Sequence, residues 1–167
     1  MQPEVLIRDA GQSDHALVFN SWLKSHRDIF YHDEGGEDKS DDPTLKHKRY
    51  RLQMHDSTKF MSRVTYFSSY KNRVRRLVAD SKILVACDPG KTDYIYSYIV
   101  FQKINETPIV HYAYTKQIYR RMGFIRALVA KINHQPKTHP MFVTFFNSTV
   151  KDLRVPYKLI FDPYILE

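Results

Sequence analysis

Residues 108–129 read PIVHYAYTKQIYRRMGFIRALV, and this stretch decides the fold. Its opening, Pro108 to Tyr114, is a strand-like run of apolar and aromatic residues. After Gly123 the pattern turns helical: Ile125, Leu128, Val129 and Ile132 fall at i, i+3, i+4 and i+7. Between the two lies an arginine-rich turn ending at Gly123, the last of five glycines. A strand that breaks at such a turn and opens into a helix is a physical recipe for holding a pyrophosphate. The first amides of a helix have no internal partner, and its dipole favours negative charge there. Glycine lets the backbone approach phosphates closely. Lys116, Arg120, Arg121 and Arg126 add countercharge.

Working outward, Val5 to Arg8 reads as a short strand, and Gly11-Gln12-Ser13-Asp14 as the start of a helix reaching about His26. Ala16, Phe19, Trp22 and Leu23 are its expected apolar side. An acidic, glycine-bearing loop from His32 to Asp42 follows, then the basic run Lys46 to Arg51. A second helix is predicted over Ser69 to Asp80, with Tyr70, Val74, Leu77 and Val78 as its stripe. Ile83 to Cys87 and Tyr94 to Phe101 flank Asp88-Pro89-Gly90-Lys91 and predict an antiparallel hairpin. Asn105-Glu106-Thr107 turns the chain into the strand ending at Tyr114. Further strands are predicted at Met141 to Phe146 and Tyr157 to Phe161. The element order is that of one mixed α/β domain spanning residues 1–167.

At 167 residues, 43% hydrophobic and 14% aromatic, with 12 Tyr and 10 Phe, the chain is expected to bury a real core without staples. Its single cysteine, Cys87, excludes an intramolecular disulfide framework and a cysteine metal cage. Cys87 lies in a predicted buried strand and reads as structural rather than nucleophilic. The eight histidines are scattered without metal-ligand spacing, so no metal is expected. No leader pattern is visible at Met1-Gln2-Pro3-Glu4, and no apolar run approaches the roughly 18 residues that span a bilayer. The expectation is a soluble, cytoplasmic protein that does not engage membranes. A formal charge of +8 favours anionic partners: a phosphorylated cofactor, acidic protein surfaces or nucleic acid.

The element order and the stretch from His111 to Val129 resemble the GNAT superfamily of acyl-CoA N-acyltransferases. That family carries a strand splaying from its neighbour, then Arg/Gln-x-x-Gly-x-Gly/Ala opening a helix over the CoA pyrophosphate. Arg120-x-x-Gly123 matches in register, while Ile125 stands where the family has Gly or Ala. Its side chain either narrows the site or faces the core. The opening Val-Leu-Ile-Arg-Asp-Ala, the early helix with Asn20 to Ser25, and the Asp-Pro-Gly hairpin are similar to GNAT-like proteins of tailed bacteriophages, which would place the protein in a host cytoplasm.

The resemblance implies a GNAT-like fold: a central, mostly antiparallel, twisted sheet with a splayed strand and flanking helices. It implies acetyl-CoA as co-substrate and a primary amine as acceptor, the amine attacking the thioester directly in a ternary complex. Cofactor contacts then fall to Tyr114, Lys116, Arg120, Arg121, Met122, Gly123, Phe124, Ile125, Arg126 and Asn147. Backbone amides around Tyr112 to Thr115 would polarise the carbonyl. Tyr157 loosely matches the family's thiolate protonator, with a packing role as its alternative. His111, titrating near neutrality, is the candidate base, with Glu106 behind it and a structural histidine or a water relay as alternatives.

Two other readings stand beside this one. In the first, a catalytically silent GNAT-like module binds nucleic acid or protein. In the second, a relative of the fold modifies DNA. Lys46 to Arg51 and Lys71 to Arg76, interleaved with Tyr50, Tyr66, Phe67 and Tyr70, suit nucleic-acid backbones and stacked bases. A solvated helix face is the plainer account of the second cluster. Likewise, the acidic loop is either a lure for a cationic amine or a solvated loop.

Overall fold

A computed structural model of the chain describes residues 3–32, 50–51, 60–61, 63–132, 139–145, 150, 155 and 157–166. In chain order these form β1 (Leu6–Asp9), α1 (Gln12–His32), β2 (Tyr50–Arg51), β3 (Phe60–Met61), α2 (Arg63–Asp80), β4 (Lys82–Cys87), β5 (Ile95–Ile104), β6 (Thr107–Thr115), α3 (Phe124–Lys131), β7 (Met141–Val143) and β8 (Leu159–Phe161). Residues Met1–Val18 with Leu77–Glu167 make one compact unit, and Phe19–Arg76 make a second. The first unit carries a six-stranded sheet in the order β1-β4-β5-β6-β7-β8. Its first three pairings are antiparallel and the last two parallel, the mixed and mostly antiparallel sheet that was expected. In the second unit β2 and β3 form a separate antiparallel ladder.

Local chemistry sets the two hairpins. Between β4 and β5 the Asp88 carboxylate accepts from the amides of Gly90 (2.7 Å) and Lys91 (3.1 Å), and it also takes the Tyr96 hydroxyl at 3.0 Å. Between β5 and β6, Asn105 (φ 46°) and Glu106 (φ 65°) are both left-handed, the two-residue geometry that matches strand twist.

Two bulges then rephase the central strands. Ala86 pairs with Ser97 while Cys87 pairs with Ile95, so Tyr96 is an extra residue in β5. Val100 pairs with Tyr112 while Phe101 pairs with Val110, so His111 is an extra residue in β6. A bulged residue changes which face its successors reach. Val110 and Ala113 accordingly pack against one cluster, although three residues apart on a strand. That cluster joins α3 (Phe124, Leu128, Val129) to Tyr96, Ile99, Phe101, Met141, Val143 and Leu159.

The predicted helices lengthen in the structure. No Gly or Pro follows His26 until Gly35, and α1 runs on to His32. In the same way α2 begins at Arg63, ahead of the apolar stripe that marked Ser69. Val18, Trp22 and Leu23 are buried on α1, whereas Ala16 is exposed. On α2 Val74, Leu77 and Val78 are buried as the stripe requires. Asp14 is buried in the first turn of α1, its carboxylate 2.6 Å from Arg8 Nη1 and accepting from the Gly11 amide at 2.7 Å. Cys87 is a fully buried free thiol, its Sγ 3.6 Å from the Leu6 carbonyl oxygen between β1 and β4. β7 spans Met141–Val143, shorter than the predicted Met141 to Phe146, and its last pair with Val110 is closed by the Thr144 amide on the Val110 carbonyl (3.1 Å); Phe146 lies outside the described residues.

Candidate functional site

The arginine-rich turn is held between two aromatic anchors. Lys116 closes the end of β6 by donating its amide to Tyr96 O at 2.9 Å. Gln117–Tyr119 form one 3₁₀ turn, with Tyr119 N bonded to Lys116 O (2.9 Å) and Arg120 N to Gln117 O (3.2 Å). The Tyr119 ring lies 4.6 Å from that of Tyr96, and Phe124 stacks on Tyr96 at 5.4 Å. The Tyr96 bulge thus places a ring beneath the turn. Burial, then the hydrogen bond to Asp88, push the Tyr96 hydroxyl up to about 12, so it stays a neutral donor at physiological pH. The Asp88 carboxyl is held below its ordinary value, chiefly by the Gly90 amide.

Between the anchors the backbone is unusual. Arg121 is left-handed (φ 66°), and so is Gly123 (φ 81°), which caps α3 without any side-chain cap. A non-glycine residue in that region costs roughly 1 kcal/mol or more and signals a constrained turn. Successive amides around left-handed residues form concave anion sites, and here they run into the first amides of a helix. Ala127 makes the first backbone bond of α3, to Gly123 O at 3.0 Å. A side chain started at Gly123 would meet no atom within 4 Å. Glycine is therefore required by conformation, and the space above it is open.

The structure brings most predicted cofactor residues together here. Arg120, Arg121, Gly123 and Arg126 are exposed. Lys116 sets its Nζ 4.2 Å over the Tyr94 ring, and Tyr114 lies 5.5 Å from Tyr98. Met122 and Ile125 pack against the core cluster, and Phe124 is buried within it. Ile125 thus faces the core rather than crossing the turn. Asn147 lies outside the described residues, as do the acidic loop 33–42 and the basic residues 46–49.

The other candidates are dispersed. His111 is buried in its bulge with Nδ1 3.0 Å from Thr144 Oγ1. It sits where β6 forks: among the described residues β7 pairs with Ile109 and Val110, whereas β5 stays paired with β6 to Thr115. Tyr157 is half-buried in the turn before β8 and packs against the core. Glu106 occupies the exposed hairpin tip and meets Lys103 at 3.4 Å. It is at the end of β6 away from the arginine turn, roughly 30 Å along the strand. Sequence reasoning missed Tyr96, Tyr119 and Thr144, because bulges and cross-strand partners leave no local pattern. Among the described residues no group of three or more His, Cys, Asp or Glu is placed to hold a metal ion, and no helix is long and apolar enough to cross a membrane.

No protein-family model matches the sequence, and no curated protein matches it. Solved structures do. The PaiA N-acetyltransferase from Thermoplasma acidophilum, in complex with coenzyme A, aligns with a TM-score of 0.47 at 12% identity, over 78% of this chain and 70% of that one. A GNAT-family acetyltransferase from Staphylococcus aureus Mu50 gives 0.44 at 11% identity over 77% of this chain, which spans only 64% of that protein's length. A provisionally assigned acetyl transferase from Pyrococcus furiosus gives 0.50 at 15% identity, over 90% of both chains. The alignment with the Pyrococcus furiosus protein is a likeness of fold. At such identities the likeness is one of fold alone. The arginine turn follows β6 and opens α3, in the order read from the sequence.

Proposed function

We propose that the protein is an acyl-CoA N-acyltransferase, moving an acetyl group from acetyl-CoA to a primary amine. One observation carries this reading: a doubly left-handed, arginine-bearing turn opens α3 without a side-chain cap, directly after the forked strand. The pyrophosphate lies against the amides from Arg121 to Arg126, with Arg120, Arg121 and Arg126 as countercharge. The thioester follows β6 past Val110, where β7 has turned away, and the amides of Tyr112 to Thr115 polarise its carbonyl. The amine nitrogen attacks the carbonyl carbon, forming the C–N bond as the C–S bond breaks. His111 takes the proton the amine loses, directly or through water, and Tyr157 protonates the departing thiolate.

Calorimetric titration with acetyl-CoA, with free CoA as comparison, tests the cofactor site. Micromolar binding that disappears in Gly123→Val, with melting showing the variant folded, is the expected result. No binding at millimolar ligand overturns the proposal. Once an acceptor amine is found, Tyr157→Phe is expected to lower kcat ten- to a hundredfold at unchanged acetyl-CoA affinity. Unchanged turnover returns Tyr157 to packing.

A further inference from the structure

Ser97 is a fully buried hydroxyl, one residue past the Tyr96 bulge and opposite Thr115 at the end of β6. Its Oγ lies 2.7 Å from the Tyr114 carbonyl oxygen and 2.9 Å from Thr115 Oγ1. A carbonyl oxygen only accepts, so the single Ser97 proton goes to Tyr114 O. Thr115 must then be the donor in the second bond, and its hydroxyl proton is directed inward. The two hydroxyls form a chain that ends on one backbone carbonyl, just before the arginine turn.

This clamp fixes a peptide plane. Lys116 donates its amide to Tyr96 O (2.9 Å), so Lys116 faces β5. Backbone groups alternate along a strand, so Tyr114 also faces β5, while Ala113 and Thr115 face the other way. In a trans peptide the carbonyl and the next amide point in opposite directions. A Tyr114 carbonyl held towards Ser97 therefore aims the Thr115 N–H away from β5, on the side where β7 pairs with Ile109 and Val110. The bulge at His111 brings Val110 into the same phase, its carbonyl accepting from Thr144 N at 3.1 Å. One edge of β6 thus meets β7 at Val110 and turns the Ala113 and Thr115 amides into the fork.

We propose that Ser97 is a positioning residue for the acyl-CoA of the preceding section, a role that rests on that reading. Its hydroxyl holds the 114–115 peptide so that the Thr115 N–H donates to a carbonyl oxygen of the cofactor's amide-bearing arm. Order along β6 assigns the carbonyls. Thr115 adjoins the arginine turn and the pyrophosphate, so its amide takes the arm. Ala113, two residues and about 7 Å nearer the branch of the fork, takes the thioester. Ser97 itself touches neither, and acts through the direction it gives to one amide.

The test uses the full chain labelled with nitrogen-15. In the wild type the Thr115 amide proton is expected to move downfield on saturation with acetyl-CoA. It should stay in place with ADP, which brings a pyrophosphate without the arm. Ser97→Ala, shown folded by melting, is expected to lose that shift and to bind acetyl-CoA about tenfold more weakly, the worth of one hydrogen bond, with ADP affinity unchanged. Ser97→Cys keeps the volume but donates weakly, and is expected to show the same pattern should the alanine variant fail to fold. A purely structural role would weaken both ligands alike, and that result overturns the proposal. A wild type that binds no acetyl-CoA overturns the acyltransferase reading and this role with it. Binding that leaves the Thr115 amide in place, or moves it equally in the variants, overturns the role of Ser97 alone.

Discussion

Two turns lie side by side in this sheet, joined by the hydrogen bond from Tyr119 to Tyr94 (3.3 Å), and they are built on opposite principles. In the Asp88–Tyr94 turn one carboxylate takes up the amides of Gly90 and Lys91, and the backbone bonds close on themselves. In the Arg120–Gly123 turn left-handed residues set the path, and no side chain caps the helix that follows. The first turn spends its donors on its own structure. The second leaves its arginines exposed and its helix start without a side-chain cap, resting on the Tyr96, Tyr119 and Phe124 rings. A turn's purpose is thus legible in where its amides go.

Matched substitutions give the largest contrast. Gly123→Val is expected to weaken acetyl-CoA binding more than a hundredfold, whereas Gly90→Ala leaves it unchanged, as titration of both will show. Should the two behave alike, the distinction between the turns fails. Next, replacing Arg120 and Arg121 together by Ala is expected to weaken binding about tenfold, and more at low salt, since exposed charges are screened. A salt-independent loss would assign these arginines to structure.

Smaller effects come from the closed turn. Asp88→Asn is expected to lower the melting temperature slightly and leave acetyl-CoA affinity intact. The Asp88 carboxyl is held below its ordinary value by the Gly90 amide, and that of Asp14 by Arg8. A depressed folded value means that each contributes stability above its unfolded pKa near 4, lost as pH falls through the folded value. Stability of the wild type should therefore be flat from pH 7 to 5 on this account and decline below about 4. Asp88→Asn should decline less steeply there, measured by melting across pH.

Much of this was readable from residue order. Gly123 was singled out by its place between strand and stripe, and the structure gives it a left-handed φ that explains why glycine is needed. The β4–β5 hairpin followed from Asp88-Pro89-Gly90, whose side-chain bonding is local. The bulges were not legible: one extra residue at Tyr96 or His111 alters neither composition nor alternation enough to notice, yet it decides which face the residues beyond it reach. The parallel pairing of β7 and β8 depends on contacts remote in sequence and was equally silent. Glu106 looked like a neighbour of His111 by number, but a tight turn fixes it at the hairpin tip. For Asn147 and the acidic loop, which lie outside the described residues, the sequence expectation stands alone.

The single thiol has a use beyond packing. Cys87 is sealed between β4 and the Leu6 carbonyl of β1, so a thiol reagent reaches it only when that seam parts. The rate of its labelling under native conditions is a clock for the peeling of β1, read without introducing any probe. A bound ligand that slows the clock stiffens the far edge of the sheet; one that leaves it unchanged acts only where it sits.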